Sequence, residues 1–85
     1  MNELIKNISK SRQQLIAEYE RKSEEVDKLR QEEHEAIKAA DYEKCESLSA
    51  KLTETNNLTE LRFAINELGN ALCHLGENVE TYWGK

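Results

Sequence analysis

The sequence predicts an all-α fold: a long antiparallel helical hairpin of two or three helices that dimerises into a coiled coil or four-helix bundle. The 85 residues include no proline and only three glycines, and 34% of them are charged. This composition favours long helices over sheets. Apolar residues also recur every seven positions, and the phase of this repeat changes once, at residues 39–41. We therefore expect two helical arms joined by a tight turn.

The first helix is expected over residues 2–39. The a and d positions of its heptad repeat are Met1, Ile5, Ile8, Arg12, Leu15, Tyr19, Lys22, Val26, Leu29, Glu33, Ala36 and Ala40. Most of these side chains are apolar or small, whereas Arg12, Lys22 and Glu33 interrupt the stripe. A repeat of this length is typical of a coiled coil rather than of an ordinary globular helix.

The turn at residues 39–41 is followed by a second apolar stripe. Asp41 is a good N-cap residue. The stripe then continues at spacings of three, three and four residues through Tyr42, Cys45, Leu48 and Leu52. These spacings predict that a new helix begins at residue 42.

The residues around this turn resemble the UVR-type helical hairpin of nucleotide-excision-repair proteins. The resemblance is carried by Ala36, Ala39, Asp41, Tyr42, Glu43, Cys45, Leu48 and Leu52. Glu46 stands where that family has a small residue, and Ser49-Ala50 stands where it has Arg-Asp. Tetratricopeptide hairpins use a similar turn. The resemblance implies a hairpin that docks onto another protein.

The second arm is expected over residues 42–83, with two alternatives near its middle. Asn56-Asn57 is a weak point for a helix, and Asn57 with Glu60 has the spacing of a capping box. A break at residues 55–58 would give three helices. A continuous helix, which we favour, would give two arms of nearly equal length.

The C-terminal part of this arm has the most regular repeat. Its a and d positions are Leu58, Leu61, Ile65, Leu68, Leu72, Leu75, Val79 and Tyr82. Gly69 and Gly76 fall at e positions, although glycine in a helix interior costs about 1 kcal/mol relative to alanine. Small residues beside an apolar seam allow a neighbouring helix to approach closely. In the alternative interpretation, Gly76 is a C′ residue that ends the helix.

This seam is the predicted site of self-association and partner binding. Its residues are Leu61, Ile65, Leu68, Gly69, Leu72, Leu75, Gly76, Val79, Tyr82 and Trp83. A thin hairpin buries little apolar surface by itself, so we expect a homodimer with the C-terminal arms at its centre.

The sequence offers little for catalysis or for cofactor and metal binding. Cys73 and His74 are adjacent, so they point about 100° apart on a helix and form no clamp. His34 lacks the glutamate three residues earlier that a di-iron helix would carry. The sequence has no CxxC pair, phosphate-binding glycine loop or GxSxG motif. We predict a protein that is not an enzyme and binds no cofactor or metal.

Charge and hydropathy restrict the partners further. The formal net charge of −5 disfavours direct binding to nucleic acid, which rewards clustered lysine and arginine. The start of the chain lacks the apolar core of a signal peptide, and no segment is apolar enough to span a membrane. Together with two cysteines and no disulfide pattern, this predicts a cytoplasmic protein.

The predicted function is binding to another protein, as an adaptor, a small chaperone or an inhibitor. Helical surfaces would supply the contacts, with apolar anchors giving affinity. Phe63 and Trp83 fall at outer heptad positions. For Phe63 we favour packing on the other arm over partner contact, whereas Trp83 either seals the end of the dimer or anchors an outside protein. The alternative is an accessory factor in DNA metabolism, through the UVR-like hairpin or through acidic inhibition of a DNA-binding enzyme.

Overall fold

A computed structural model describes residues 2–84. They form α1 (Asn2–Lys38), α2 (Tyr42–Thr55), α3 (Leu58–His74) and an irregular C-terminal segment, and none of the described residues is in a β-strand. The predicted all-α helical-hairpin class is confirmed. The chain divides into two compact units. Of the described residues, unit 1 comprises 2–20 and 58–84, and unit 2 comprises 21–57, so α1 contributes to both.

The heptad repeat of α1 identifies the side of the helix that packs. Every a and d position from Ile5 to Ala36 is buried or half-buried, including the three polar residues that interrupt the stripe. In unit 1, Tyr19 of α1 is buried, and so are Ile65, Gly69 and Leu72 of α3. In unit 2, Val26 and Ala36 are buried together with Leu48 of α2.

The turn between α1 and α2 lies where the phase change predicts it. The amide of Asp41 donates to the Ala36 carbonyl and that of Ala40 to the Ile37 carbonyl, each at 3.0 Å. This pairing is the Schellman arrangement, and its C′ residue is Ala40, with a left-handed φ of 55°. Asp41 then caps α2, since its carboxylate accepts from the Lys44 amide at 3.2 Å.

The second arm is not one continuous helix. α2 ends at Thr55 and α3 begins at Leu58, so the alternative with a break at residues 55–58 applies. Asn56 is the C-cap of α2, and its amide donates to the Leu52 carbonyl. The side-chain oxygen of Asn57 accepts from Lys22 Nζ at 3.0 Å, so this interrupting lysine of α1 connects to the break.

The expectation that the last helix reaches residue 83 is wrong, because α3 ends at His74. The amide of Gly76 donates to the Cys73 carbonyl and that of Glu77 to the Leu72 carbonyl, which is a second Schellman arrangement. Gly76 occupies its C′ position with φ of 96°. Gly76 is therefore a helix terminator, as the alternative interpretation has it, and not a small residue beside a helical seam.

Candidate interaction surface

The C-terminal strap, residues 77–84, runs back along α3 in unit 1. Val79 lies near Gly69, and Tyr82 is hydrogen-bonded to Asn66. Later residues of the strap thus lie beside earlier residues of α3, so the strap runs antiparallel to the helix. Val79, Tyr82 and Gly84 of the strap are half-buried, whereas Glu80, Thr81 and Trp83 are exposed. The strap therefore covers the apolar face that α1 and α3 share.

Arg12 joins the strap to both helices of unit 1. Its Nε donates to the Ile65 carbonyl of α3 at 3.2 Å, and its Nη2 donates to the Glu80 carbonyl of the strap at 3.1 Å. The long stem of arginine can lie along apolar surface while its planar head donates in two directions. This explains why a charged residue occupies a core position of the heptad repeat.

Asn66 binds the strap through its peptide groups. Its Oδ1 accepts from the Tyr82 amide at 2.7 Å, and its Nδ2 donates to the Tyr82 carbonyl at 3.1 Å. One carboxamide thus satisfies both main-chain groups of a single strap residue, much as a neighbouring β-strand would. The strap is fixed at this residue without becoming part of a sheet.

The aromatic contacts of the strap involve Tyr19 of α1. The rings of Tyr19 and Tyr82 meet nearly perpendicular, with 5.4 Å between centroids. Gly84 follows with φ of 91°, and a Cβ atom there would lie 2.6 Å from the Tyr19 hydroxyl. Only glycine fits this backbone against the tyrosine without displacement.

The glycine at position 69 is explained by contacts within the chain. A Cβ atom added to Gly69 would lie 3.2 Å from Arg12 Nε and 3.5 Å from Val79 Cγ1. Both neighbours are part of the strap attachment. Glycine lowers the helix propensity of α3 at this position. Its missing side chain, however, leaves room for Arg12 to reach the Ile65 carbonyl.

Among the described residues of unit 1, the exposed large apolar side chains are Phe63, Trp83 and, in the first turn of α1, Leu4. Phe63 is 67% exposed and Trp83 is 78% exposed. Phe63 precedes Asn66 by one helical turn, and Asn66 binds the residue before Trp83. The two aromatic residues therefore lie in the same region of unit 1. Packing on the other arm, which the sequence favours for Phe63, is therefore not observed within the described residues of unit 1.

The predicted self-association residues have different environments within one chain. Ile65, Gly69 and Leu72 are buried; Gly76 and Trp83 are exposed; and the half-buried ones are Leu61, Leu68, Leu75, Val79 and Tyr82. Contacts inside the chain thus cover the centre of the predicted seam. Val79 and Tyr82 contribute to them from the strap rather than from a helix, whereas Trp83, also on the strap, is exposed. Homodimerisation itself stays a prediction.

Unit 2 exposes two large apolar side chains beside its helical turn. Ile37 and Tyr42, on either side of residues 39–41, are 60% and 78% exposed. Further along the hairpin, an open depression of about 370 Å³ lies between α1 and α2. Its lining is mostly polar and includes Arg30, Glu33 and Asn56. Glu33, the third polar residue that interrupts the heptad repeat of α1, thus faces an open, solvent-accessible depression.

The cysteine and histidine residues form no chemical centre in the described part of the chain. Cys45 and Cys73 are free thiols, and Cys73 is exposed, with Sγ 3.4 Å from the Val79 carbonyl. Among residues 2–84, no three histidine, cysteine or acidic side chains converge as a metal site requires. No helix in this range combines the length and the hydropathy needed to cross a bilayer.

No family model matches the chain, and the searches of curated proteins and of solved structures gave no match.

Two important residues of this surface were not among the predicted site residues. Arg12 left a signal, because a cation at a core heptad position needs an acceptor inside the fold. Asn66 left none, since it occupies an outer position in a repeat whose spacing is that of a continuous helix. Its role depends on the strap folding back, which only the termination at Gly76 brings about.

Proposed function

We propose that this chain is a non-enzymatic protein-binding module, an adaptor or regulator, that docks onto another protein through Phe63 and Trp83. One observation carries the proposal: Trp83 is 78% exposed although the residues on both sides of it are attached to the helices. Tyr82 is bonded to Asn66, and Gly84 packs against Tyr19.

An exposed tryptophan on a fixed backbone is well suited to be a binding anchor. Tryptophan is enriched among the residues that dominate binding energy at interfaces. A side chain whose backbone is already ordered loses less conformational freedom when it binds. Phe63 adds a second apolar side chain in the same region. A partner with an apolar pocket or groove would bury both.

The accessory role in DNA metabolism is a second proposal with its own supporting observation. Ile37 and Tyr42 are exposed beside the turn that carries the resemblance to UVR-type hairpins. Docking of this hairpin onto a repair protein would use these two side chains. This contact would be made by unit 2, so mutations can separate it from docking through unit 1.

Affinity capture from the source organism, with matched variants, tests the main proposal. Phe63→Ser and Trp83→Ser are expected to lose a partner that the wild-type chain retains. The control is Leu4→Ser, because Leu4 is also an exposed apolar residue, at 50%. Leu4→Ser should retain the partner, and far-ultraviolet circular dichroism should show that all three variants are folded.

Further variants separate the two proposals. A partner lost by Ile37→Ser and Tyr42→Ser but kept by Phe63→Ser and Trp83→Ser would support the hairpin docking and contradict the unit 1 surface. A partner kept by all four variants would contradict both. Direct DNA binding is tested with a gel-shift assay at moderate salt, where we expect no shift.

A further inference from the structure

The strap is seated in unit 1 mainly by contacts that do not depend on its covalent attachment to α3. Arg12 binds the Glu80 carbonyl, and Asn66 binds both main-chain groups of Tyr82. Peptide groups are common to every extended segment. The same side chains can therefore hold an equivalent segment that belongs to another molecule.

Two side-chain positions give this groove a preference. Val79 packs over the bare backbone of Gly69, and the Tyr82 ring packs edge-on against Tyr19. The groove thus suits a branched aliphatic residue followed three residues later by a tyrosine. A second copy of this chain carries that sequence without any change.

Residues 76–78, which connect α3 to the seated part of the strap at residues 79–84, make few contacts of their own. Gly76, Glu77 and Asn78 are exposed, and nothing lies within 4 Å of the position of a Cβ atom on Gly76. Opening the link costs the turn hydrogen bonds at the end of α3 and leaves the three helices intact. Exchange of a terminal segment through such a link is a low-cost route to a dimer.

We propose that the groove of one copy accepts residues 79–84 of a second copy, so that the chain dimerises by exchanging straps. The dimer then contains two complete grooves, each occupied by the partner's strap. This proposal does not depend on docking through Phe63 and Trp83. It also differs from a helical seam, because the buried face of α3 keeps the same contacts in both forms.

The first test uses a fluorescein-labelled peptide with the sequence of residues 77–84 and the full-length chain. In the wild-type chain the attached strap competes at an effective concentration of about a millimolar or more. Gly84→Ala weakens that competitor, because its Cβ would crowd the Tyr19 hydroxyl. We expect the peptide to bind Gly84→Ala at least about tenfold more tightly than wild type.

The matched pair Asn66→Ala and Asn70→Ala tests the groove itself. Both asparagines are on α3, one turn apart, but Asn70 is exposed. Added to Gly84→Ala, Asn66→Ala should weaken peptide binding about tenfold or more, and Asn70→Ala should leave it unchanged. Equal peptide affinities for wild type and Gly84→Ala, or equal effects of the two asparagine changes, would overturn the proposal.

The second test removes Glu77 and Asn78 from the full-length chain. Gly76 follows Gly69 by seven residues, most of them in α3, and at the helical rise this separation is about 10 Å. The three links from Gly76 to Val79 just cover that distance at about 3.3–3.6 Å each. After the deletion a single link remains, so Val79 cannot return to Gly69 of its own chain.

Sedimentation should then show a dimer with twice the mass of the shortened chain. Adding Asn66→Ala to the deletion should shift it toward monomer. A helical monomer at all concentrations would refute strap exchange. If the deletion variant does not fold, the peptide measurements decide.

Discussion

The Tyr19 and Tyr82 rings meet edge to face at an interplanar angle of 88°, which joins the middle of α1 to the C-terminal strap. Such pairs contribute about 0.5–1.5 kcal/mol beyond the burial of their area. Residues 63 positions apart in the sequence thus come together through the strap and not through a helix. Several measurable consequences depend on this attachment.

Tyr82→Ala should lower the free energy of unfolding by about 2 kcal/mol, because it removes a half-buried ring and its partner contact. Trp83→Ala is the matched control. The Trp83 side chain is next to Tyr82 in the sequence but mostly exposed, so its removal should lower the free energy of unfolding by no more than about 0.5 kcal/mol. Urea unfolding followed by circular dichroism measures both. Equal losses for the two variants would mean that the strap is not seated as described.

Ala40→Gly should stabilise unit 2 by about 0.5–1 kcal/mol. Ala40 is exposed and has φ of 55°, a conformation that costs an L-residue about 1–2 kcal/mol but costs glycine little. Ala39→Gly is the control, because Ala39 is also exposed but has no positive φ. Glycine at this position should destabilise the fold, because it adds conformational freedom to the unfolded chain. A lower thermal midpoint for Ala40→Gly would contradict the left-handed turn.

Gly76→Ala should destabilise the chain by about 1 kcal/mol for the converse reason. Nothing crowds a Cβ at this position, so the cost comes from φ of 96° alone. Gly76→Asn should be tolerated better, because asparagine enters the left-handed region more readily. Were helix 3 continuous through this position, alanine would instead stabilise it and raise the helical signal.

Arg12 and Gly69 should be energetically coupled. In an Arg12→Ala background, Gly69→Ala should stabilise the chain by about 1 kcal/mol through helix propensity. In the wild-type background the added methyl group crowds a guanidinium that two hydrogen bonds hold in place, so the gain should be smaller or reversed. A double-mutant cycle should give a coupling of at least about 0.5 kcal/mol. Additive effects of the two substitutions would show that Arg12 and Gly69 are not energetically coupled.

The helical fold follows from the sequence because one repeat dominates it. The inward positions of α1 are those of the heptad repeat, and the turn falls where the phase changes. Asp41 caps α2 as its residue type predicts. These features are local, or depend only on which residues are apolar, so periodicity and residue type are sufficient to find them.

The strap could not be predicted in the same way, because periodicity does not distinguish helix from a chain that returns. Val79 and Tyr82 continue the heptad spacing of α3, yet they face the helices from an irregular segment. The deciding residue is Gly76, whose left-handed conformation ends the helix. A glycine at an e position and a glycine at C′ look alike in sequence, and only the hydrogen bonds of Leu72 and Cys73 separate them.

The exposure of Trp83 also determines which spectroscopic signals are useful for this protein. It is the sole indole of the chain and is already largely hydrated in the native state. Its emission wavelength should therefore change little when the helices melt, so fluorescence is a poor monitor of denaturation here. The same property makes it a sensitive reporter of complex formation, since a blue shift on adding a second protein would signal that water has left the ring.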